Sequence, residues 1–137
     1  AQVSLANPAQ VVKAFMEAES YDGPSLILAY SHCIAHGIDM TTAVDTCKKA
    51  VECGHWPLFR FDPRLVEEGK NPLQIDSKEP TIAFDEYAYG ENRYRVLKKV
   101  KPEEAGALME EASLNCKRRF DLYRKLADMS ADCGSDK

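Results

Sequence analysis

The sequence is most informative first through what it lacks. No apolar run approaches the roughly 20 residues needed to span a bilayer, and the longest, Leu26 to Tyr30, is only the size of a strand. No export leader is visible, because the opening residues read as a strand end and then an amphipathic helix. No two of the five cysteines are spaced C-x-x-C, so a self-contained zinc ribbon or ferredoxin-type cluster motif is absent. Positive charge is not in excess either. A formal net charge of −4 and a pI near 5.4 argue against general nucleic-acid binding, which needs a clustered positive field. Internal repeats and low-complexity stretches are missing as well. So is an initiating Met: the chain opens directly into Ala1-Gln2-Val3-Ser4-Leu5, which reads as the tail of a strand and leads us to expect a cut end.

What is present fits one domain. A length of 137 residues suits a single core, and 45% hydrophobic with 29% charged residues is ordinary for a globular chain. The cysteines are Cys33, Cys47, Cys53, Cys116 and Cys133. Their odd number and the lack of an export signal point to reduced thiols in a reducing compartment rather than a disulfide framework.

Asn7-Pro8 predicts a helix start, since Asn caps free amides and Pro fits the first helical position. Val11, Val12, Phe15 and Ala18 share a face, expected to be the inner one, and Asp22-Gly23-Pro24 is expected to end the helix through a left-handed glycine. Ser25 to Tyr30, apolar on both faces, predicts an interior strand of a parallel sheet. A second helix is expected from about Asp39 to Cys53, with Met40, Ala43, Val44, Cys47 and Val51 inward and Gly54 closing it. Strand alternating with helix is the signature of an α/β layer.

Trp56 to Phe61 predicts a further strand with Pro57 at its start or on an edge, and Leu73 to Asp76 an antiparallel return. A helical stretch is expected over 84–99, weakened at Gly90. Pro102 opens a last helix to about Met129, roughly 40 Å long at 1.5 Å per residue. Its apolar stripe is Ala105, Met109, Ala112, Cys116, Phe120, Tyr123 and Ala127. The domain is thus read as 1–129, with 130–137 as a loose tail.

The residues with chemical potential are His32, Cys33 and His36, directly after the Ser25–Tyr30 strand, where open parallel sheets bind ligands. Three readings are open on local pattern: packing in a tight turn, metal or cluster ligation with Cys33 as the soft donor, or a Cys–His nucleophile pair. A zinc site would need three or four ligands, and His55 is a candidate recruit. Cys47 and Cys116 lie on apolar helical faces and read as core residues; Cys53 and Cys133 receive no role. The basic stretch Lys117, Arg118, Arg119, Arg124 and Lys125 reads as a solvated face complementing the helix dipole, with a docking patch for an acidic electron carrier as the alternative. A non-catalytic interaction module, docking through Phe120 and Tyr123, is a further alternative.

Four blocks, in order, carry a resemblance. These are Glu17 to Gly37 (EAESYDGPSLILAYSHCIAHG), Gly54 to Pro63 (GHWPLFRFDP), Gly69 to Pro80 (GKNPLQIDSKEP) and Glu91 to Leu97 (ENRYRVL). Together they resemble the C-terminal part of the pyruvate:ferredoxin (flavodoxin) oxidoreductase family across nearly the whole chain. The resemblance implies a fragment of a cytoplasmic, multidomain, homodimeric enzyme of anaerobic metabolism. Such an enzyme decarboxylates pyruvate on thiamine diphosphate with Mg2+, passes electrons through [4Fe-4S] clusters to ferredoxin or flavodoxin, and forms acetyl-CoA from coenzyme A.

The fold it implies is α/β, a partial doubly wound parallel sheet from the thiamine-diphosphate-binding domain, with a small antiparallel hairpin and a long C-terminal helix. It also implies that Cys33 supplies the fourth ligand of the cluster nearest the thiamine. The Gly-Asp-Gly…Asn thiamine segment and the other cluster ligands are not in this sequence, so the fragment alone is expected to be inactive. His32 and His36 inherit no role. An exposed strand edge near Leu5 is expected, and with it self-association.

Overall fold

The computed structural model describes residues 1–129, so the expected tail at 130–137 and Cys133 lie outside the described residues. Four short strands form one mixed sheet: β1 (Gln2–Ser4), β2 (Leu28–Tyr30), β3 (Phe59–Phe61) and β4 (Leu73–Ile75), in the spatial order β2-β1-β3-β4. Only β1 and β2 run parallel, with Ser4 opposite Tyr30; β1–β3 and β3–β4 are antiparallel. The expected parallel sheet is therefore a single parallel pair here, and the expected hairpin is β3–β4.

Five α-helices accompany the sheet: α1 (Pro8–Ser20), α2 (Ala43–Glu52), α3 (Phe84–Ala88), α4 (Asn92–Val100) and α5 (Pro102–Asp128). Asn7 caps α1 by accepting from the Gln10 amide, and Pro8 takes the first helical position, as its chemistry requires. The predicted stretch over 84–99 is two helices, α3 and α4, broken around Gly90. Gly54 takes φ +75° after α2, and a Cβ there would lie 2.9 Å from Pro80 and 3.5 Å from Phe120. Only glycine fits both demands.

The core lies among helices α2, α3 and α5, where Ala50, Cys53, Phe84, Tyr87, Ala88 and Cys116 pack together with Tyr30 and Trp56 against them. The predicted α5 stripe is buried or half-buried throughout, which is why a 27-residue helix holds.

Several expectations are corrected. The inner face of α1 is Gln10 and Ala14, while Val12 and Phe15 are exposed. Ala14 is small enough to admit close approach, and the Gln10 amide donates to the Gln2 carbonyl at 3.2 Å and to Asp76 at 3.1 Å. Polar anchoring thus outweighs apolar periodicity at this helix. It ends at Ser20 with Tyr21 extended, and Gly23 has no positive φ.

In α2, Cys47 and Ala50 are buried but Met40 and Val44 are exposed, because Met40–Thr42 forms a separate 3-10 turn and the helix starts only at Ala43. The strand expected in the sheet interior is instead the edge strand β2, paired on one side to β1, and Leu28 is 47% exposed. Conversely β1 is paired on both sides and Val3 is 1% exposed, so the expected open edge near Leu5 is covered by β2 and β3.

Candidate functional site

The parallel pair delivers the carboxyl ends of β1 and β2 to the same side, at Ser4 and Tyr30. Cys33 lies three residues beyond Tyr30, in extended conformation, as the residue that opens a 3-10 turn over Ile34–His36. Gly37 then reverses the chain with φ +71°, its amide donating to the Ile34 carbonyl at 2.9 Å. This is the loop at the carboxyl end of a strand where the sequence placed its candidate site.

Cys33 is exposed and free, whereas Cys47, Cys53 and Cys116 are free but buried. Burial pushes the thiols of Cys47, Cys53 and Cys116 upward, Cys53 to about 11. Cys116 packs with its thiol toward the Cys53 carbonyl at 3.5 Å. Those three are core residues, as expected for Cys47 and Cys116. Among the described cysteines, Cys33 alone is available as a ligand or nucleophile.

The two histidines beside it are committed elsewhere. The Nδ1 of His32 faces the Cys47 sulfur at 3.7 Å, and the Nδ1 of His36 meets the Glu91 carboxylate at 3.1 Å. His55 is half-buried against the core, stacked on Tyr87 at 5.1 Å and against Phe84 at 5.4 Å. Burial, and then the Arg119 charge, push its pKa down to about 4. Among the described residues no group of three or more His, Cys, Asp or Glu is placed to hold a metal ion. A zinc site on His32, Cys33 and His36 is therefore not assembled by this fold. Among the described residues, Cys33 stands as a single exposed thiol with no metal-ligating group of three gathered around it.

Sequence reasoning missed Glu91, Tyr87 and Tyr30. Glu91 is 3% exposed; its carboxylate takes His36 on one oxygen and, at 3.3 Å, the Tyr87 hydroxyl on the other. The Tyr87 and Tyr30 hydroxyls are 2.8 Å apart. Burial raises the pKa of both phenols, so both remain protonated through the neutral range. Glu91 stands 55 residues from His36 in sequence, and the only local signal was its place just after the helix-breaking Gly90.

The proposed docking residues of α5 are also accounted for within the chain. Phe120 is 2% exposed, and Tyr123 packs on Phe59 at 5.3 Å. In the basic stretch, Arg119 donates to the His55 carbonyl and Arg124 pairs with Glu79. Among the described residues no helix is long and apolar enough to cross a membrane.

No family model matches the chain. Curated relatives do. It is 52% identical over 118 residues to the pyruvate-flavodoxin oxidoreductase of Nostoc sp. (strain PCC 7120 / SAG 25.82 / UTEX 2576), covering 86% of this chain and 10% of that protein. It is 51% identical over 123 residues to the pyruvate:ferredoxin oxidoreductase of Moorella thermoacetica, covering 90% of this chain and 10% of that one. A mitochondrial pyruvate dehydrogenase [NADP(+)] of Euglena gracilis is 49% identical over 130 residues, covering 93% of this chain and 7% of its own length. The chain therefore spans about a tenth of the curated relatives it matches first, and it belongs to the pyruvate:ferredoxin (flavodoxin) oxidoreductase family as a piece of one of its large enzymes.

Proposed function

We propose that the chain is the C-terminal part, residues 1–129, of the doubly wound thiamine-diphosphate-binding α/β domain of a cytoplasmic, homodimeric pyruvate:acceptor oxidoreductase. In this reading Cys33 is one thiolate ligand of the [4Fe-4S] cluster next to the thiamine. The parent enzyme converts pyruvate and coenzyme A to acetyl-CoA and CO2 and passes the released electrons to ferredoxin or flavodoxin. Thiamine diphosphate, Mg2+, the site for coenzyme A and the remaining cluster ligands belong to other parts of the parent, and the isolated fragment is inactive.

The observation that carries the assignment is the isolation of Cys33. It is the one exposed thiol among the described cysteines, at the carboxyl end of β2, with no competing partner. A cluster, when bound, takes up and passes on one electron at a time. The contribution of this chain is to present the sulfur. β2 aims the loop, the 3-10 turn keeps Cys33 extended at its start, and the thiol proton leaves for solvent when iron binds.

The relatives' names support placing the segment on the pyruvate side of the reaction. The chain is 52%, 51% and 49% identical to proteins named for flavodoxin, ferredoxin and NADP(+), and what the three names share is pyruvate. A segment equally similar across acceptors serves the half-reaction that all three carry out.

The test is Cys33→Ser in the full-length enzyme, purified without oxygen. The thiamine-proximal cluster is expected to disappear from the electron paramagnetic resonance spectrum, with a matching fall in bound iron. An unchanged spectrum and iron content would sink the assignment. Peptide mapping after brief native alkylation of cluster-stripped enzyme should label Cys33 ahead of Cys53. At pH 8 the Cys53 thiolate population is about a hundredfold below that of an ordinary thiol, because burial raises its pKa to about 11.

A further inference from the structure

The Cys33 loop has little structure of its own. Between β2 and Ile38 it contains one 3-10 turn, and Ser31, Cys33, Ile34 and Ala35 are all exposed. A cluster ligand has to be held within about 0.5 Å of its productive position, and an exposed loop of this kind does not achieve that unaided.

Both ends of the loop, however, are tied to one buried carboxylate. Tyr30, three residues before Cys33, meets the Tyr87 hydroxyl at 2.8 Å, and Tyr87 bonds one oxygen of Glu91 at 3.3 Å. His36, three residues after Cys33, bonds the other oxygen at 3.1 Å. The next residue adds a steric contact: at Gly37 a Cβ would lie 2.6 Å from the Cβ of Asn92, so the chain reverses directly against the start of α4. The neighbouring pair 36–37 thus seats on the neighbouring pair 91–92. Tyr87, on α3, is itself a member of the core cluster, so the turn between α3 and α4 is anchored in close-packed interior.

Glu91 is also an expensive residue to place there. Its side chain is 4% exposed, and the partners it has are an imidazole and a phenol rather than a Lys or Arg. Burying a carboxylate without a permanent countercharge costs stability. A carboxyl group buried under those conditions, with each oxygen directed to one end of the same loop, is accounted for by placement of that loop.

We propose that the α3–α4 turn is the clamp of the Cys33 loop and that Glu91 is a positioning residue for the Cys33 sulfur, acting through His36 at one end and through Tyr87 and Tyr30 at the other. The contact of His32 with Cys47 is a third, weaker tie to α2. This rests on the reading of Cys33 as a cluster ligand.

The test uses the full-length enzyme loaded with its clusters, and reads the rate at which a ferrous chelator strips iron from the thiamine-proximal cluster, together with the line shape of its paramagnetic resonance. Glu91→Ala is expected to release iron about tenfold faster, the lower end of what loss of an outer-shell partner of a metal ligand costs, with an altered line shape. Glu91→Gln keeps the side chain's shape but an acceptor for only one of the two neighbours, and should restore only part of the difference. Tyr30→Phe removes one hydroxyl and should shift both readouts in the same direction by less, which keeps the proposal testable if Glu91→Ala does not fold. Phe120→Leu, which loosens the buried face of α5 without touching the loop, should leave both readouts as in the parent.

Equal rates and spectra for Glu91→Ala and the parent would overturn the clamp. So would equal acceleration by Phe120→Leu, since that would make Glu91 merely structural. If instead Cys33→Ser keeps the cluster, the ligand assignment fails and the clamp loses its object. The Cys33→Ser control therefore separates the two failures.

Discussion

Among the described residues two ionisable side chains of the charged types are buried, Arg60 and Glu91, and they are kept in opposite ways. Arg60, on β3 and 7% exposed, donates to both oxygens of Asp76 at 2.8 and 2.9 Å and to Glu17 of α1 at 2.5 Å. Its charge is matched inside the fold, and those hydrogen bonds, with the Asp76 carboxylate beside it, raise its pKa further. The product is architecture: α1 is fastened to the β3–β4 hairpin, and Gln10 reinforces the joint by donating to the same Asp76. Glu91 has a histidine and a tyrosine, and they belong to or lead into the loop that carries the exposed thiol. A buried charge neutralised by permanent countercharges is explained by the fold. One left with neutral or titratable partners next to a reactive group is better explained by the site.

The largest expected effect tests the first half of this contrast. Removing one partner of a buried ion pair leaves the others desolvated and uncompensated, so Arg60→Ala should cost about 3–5 kcal/mol, read as a lower denaturant midpoint. The loss should fall on α1 and the hairpin, with amide exchange accelerating in 8–20 and 59–75 and leaving the hydrogen-bonded amides of His36 and Gly37 unchanged. Equal loosening of the Cys33 loop would show that the two networks are one cooperative unit, and the contrast would fail.

How far the sequence foresaw these two regions follows from what periodicity can encode. The α5 stripe was legible because one long helix repeats its inward positions every three or four residues, and seven such positions leave little ambiguity. The β3–β4 hairpin and the break at Gly90 were legible from Pro, Gly and alternation. The location of Cys33 was legible as a strand-end loop. The inner face of α1 was not, because Gln10 is buried by hydrogen bonds to Gln2 and Asp76, and a polar residue turned inward defeats any apolar count. Nor was the edge position of β2, since an apolar run records burial in whatever the strand meets, not which neighbours are hydrogen-bonded to it. Glu91 was invisible for a third reason: a pairing across 55 residues leaves no local trace.

The second, smaller effect sharpens the contrast by using protons. The Glu91 side of the molecule contains a group that the fold holds uncharged through the mildly acidic range: His55, stacked on Tyr87, has its pKa lowered from 6.5 to about 4, first by burial and then by the Arg119 charge. Between those two values the unfolded chain carries a proton on this ring that the folded chain refuses. Stability therefore rises with pH across that window and is lost as pH falls from about 6.5 toward 4.

Allowing for the ring's partial exposure, the loss should be on the order of 2 kcal/mol, read as a declining denaturant midpoint. His55→Phe keeps the stack on Phe84 and Tyr87 and removes the titration, so its midpoint should fall less steeply over the same range. Arg60 stays charged throughout and supplies no proton-linked change of its own. If amide exchange in acid opens α3, the α3–α4 turn and residues 30–37 before it opens α1, then the clamp and the core beneath it form one unit, separable from the Arg60 joint. A parallel slope in His55→Phe would place the acid sensitivity elsewhere and deprive the Tyr87 side of its distinct pH response.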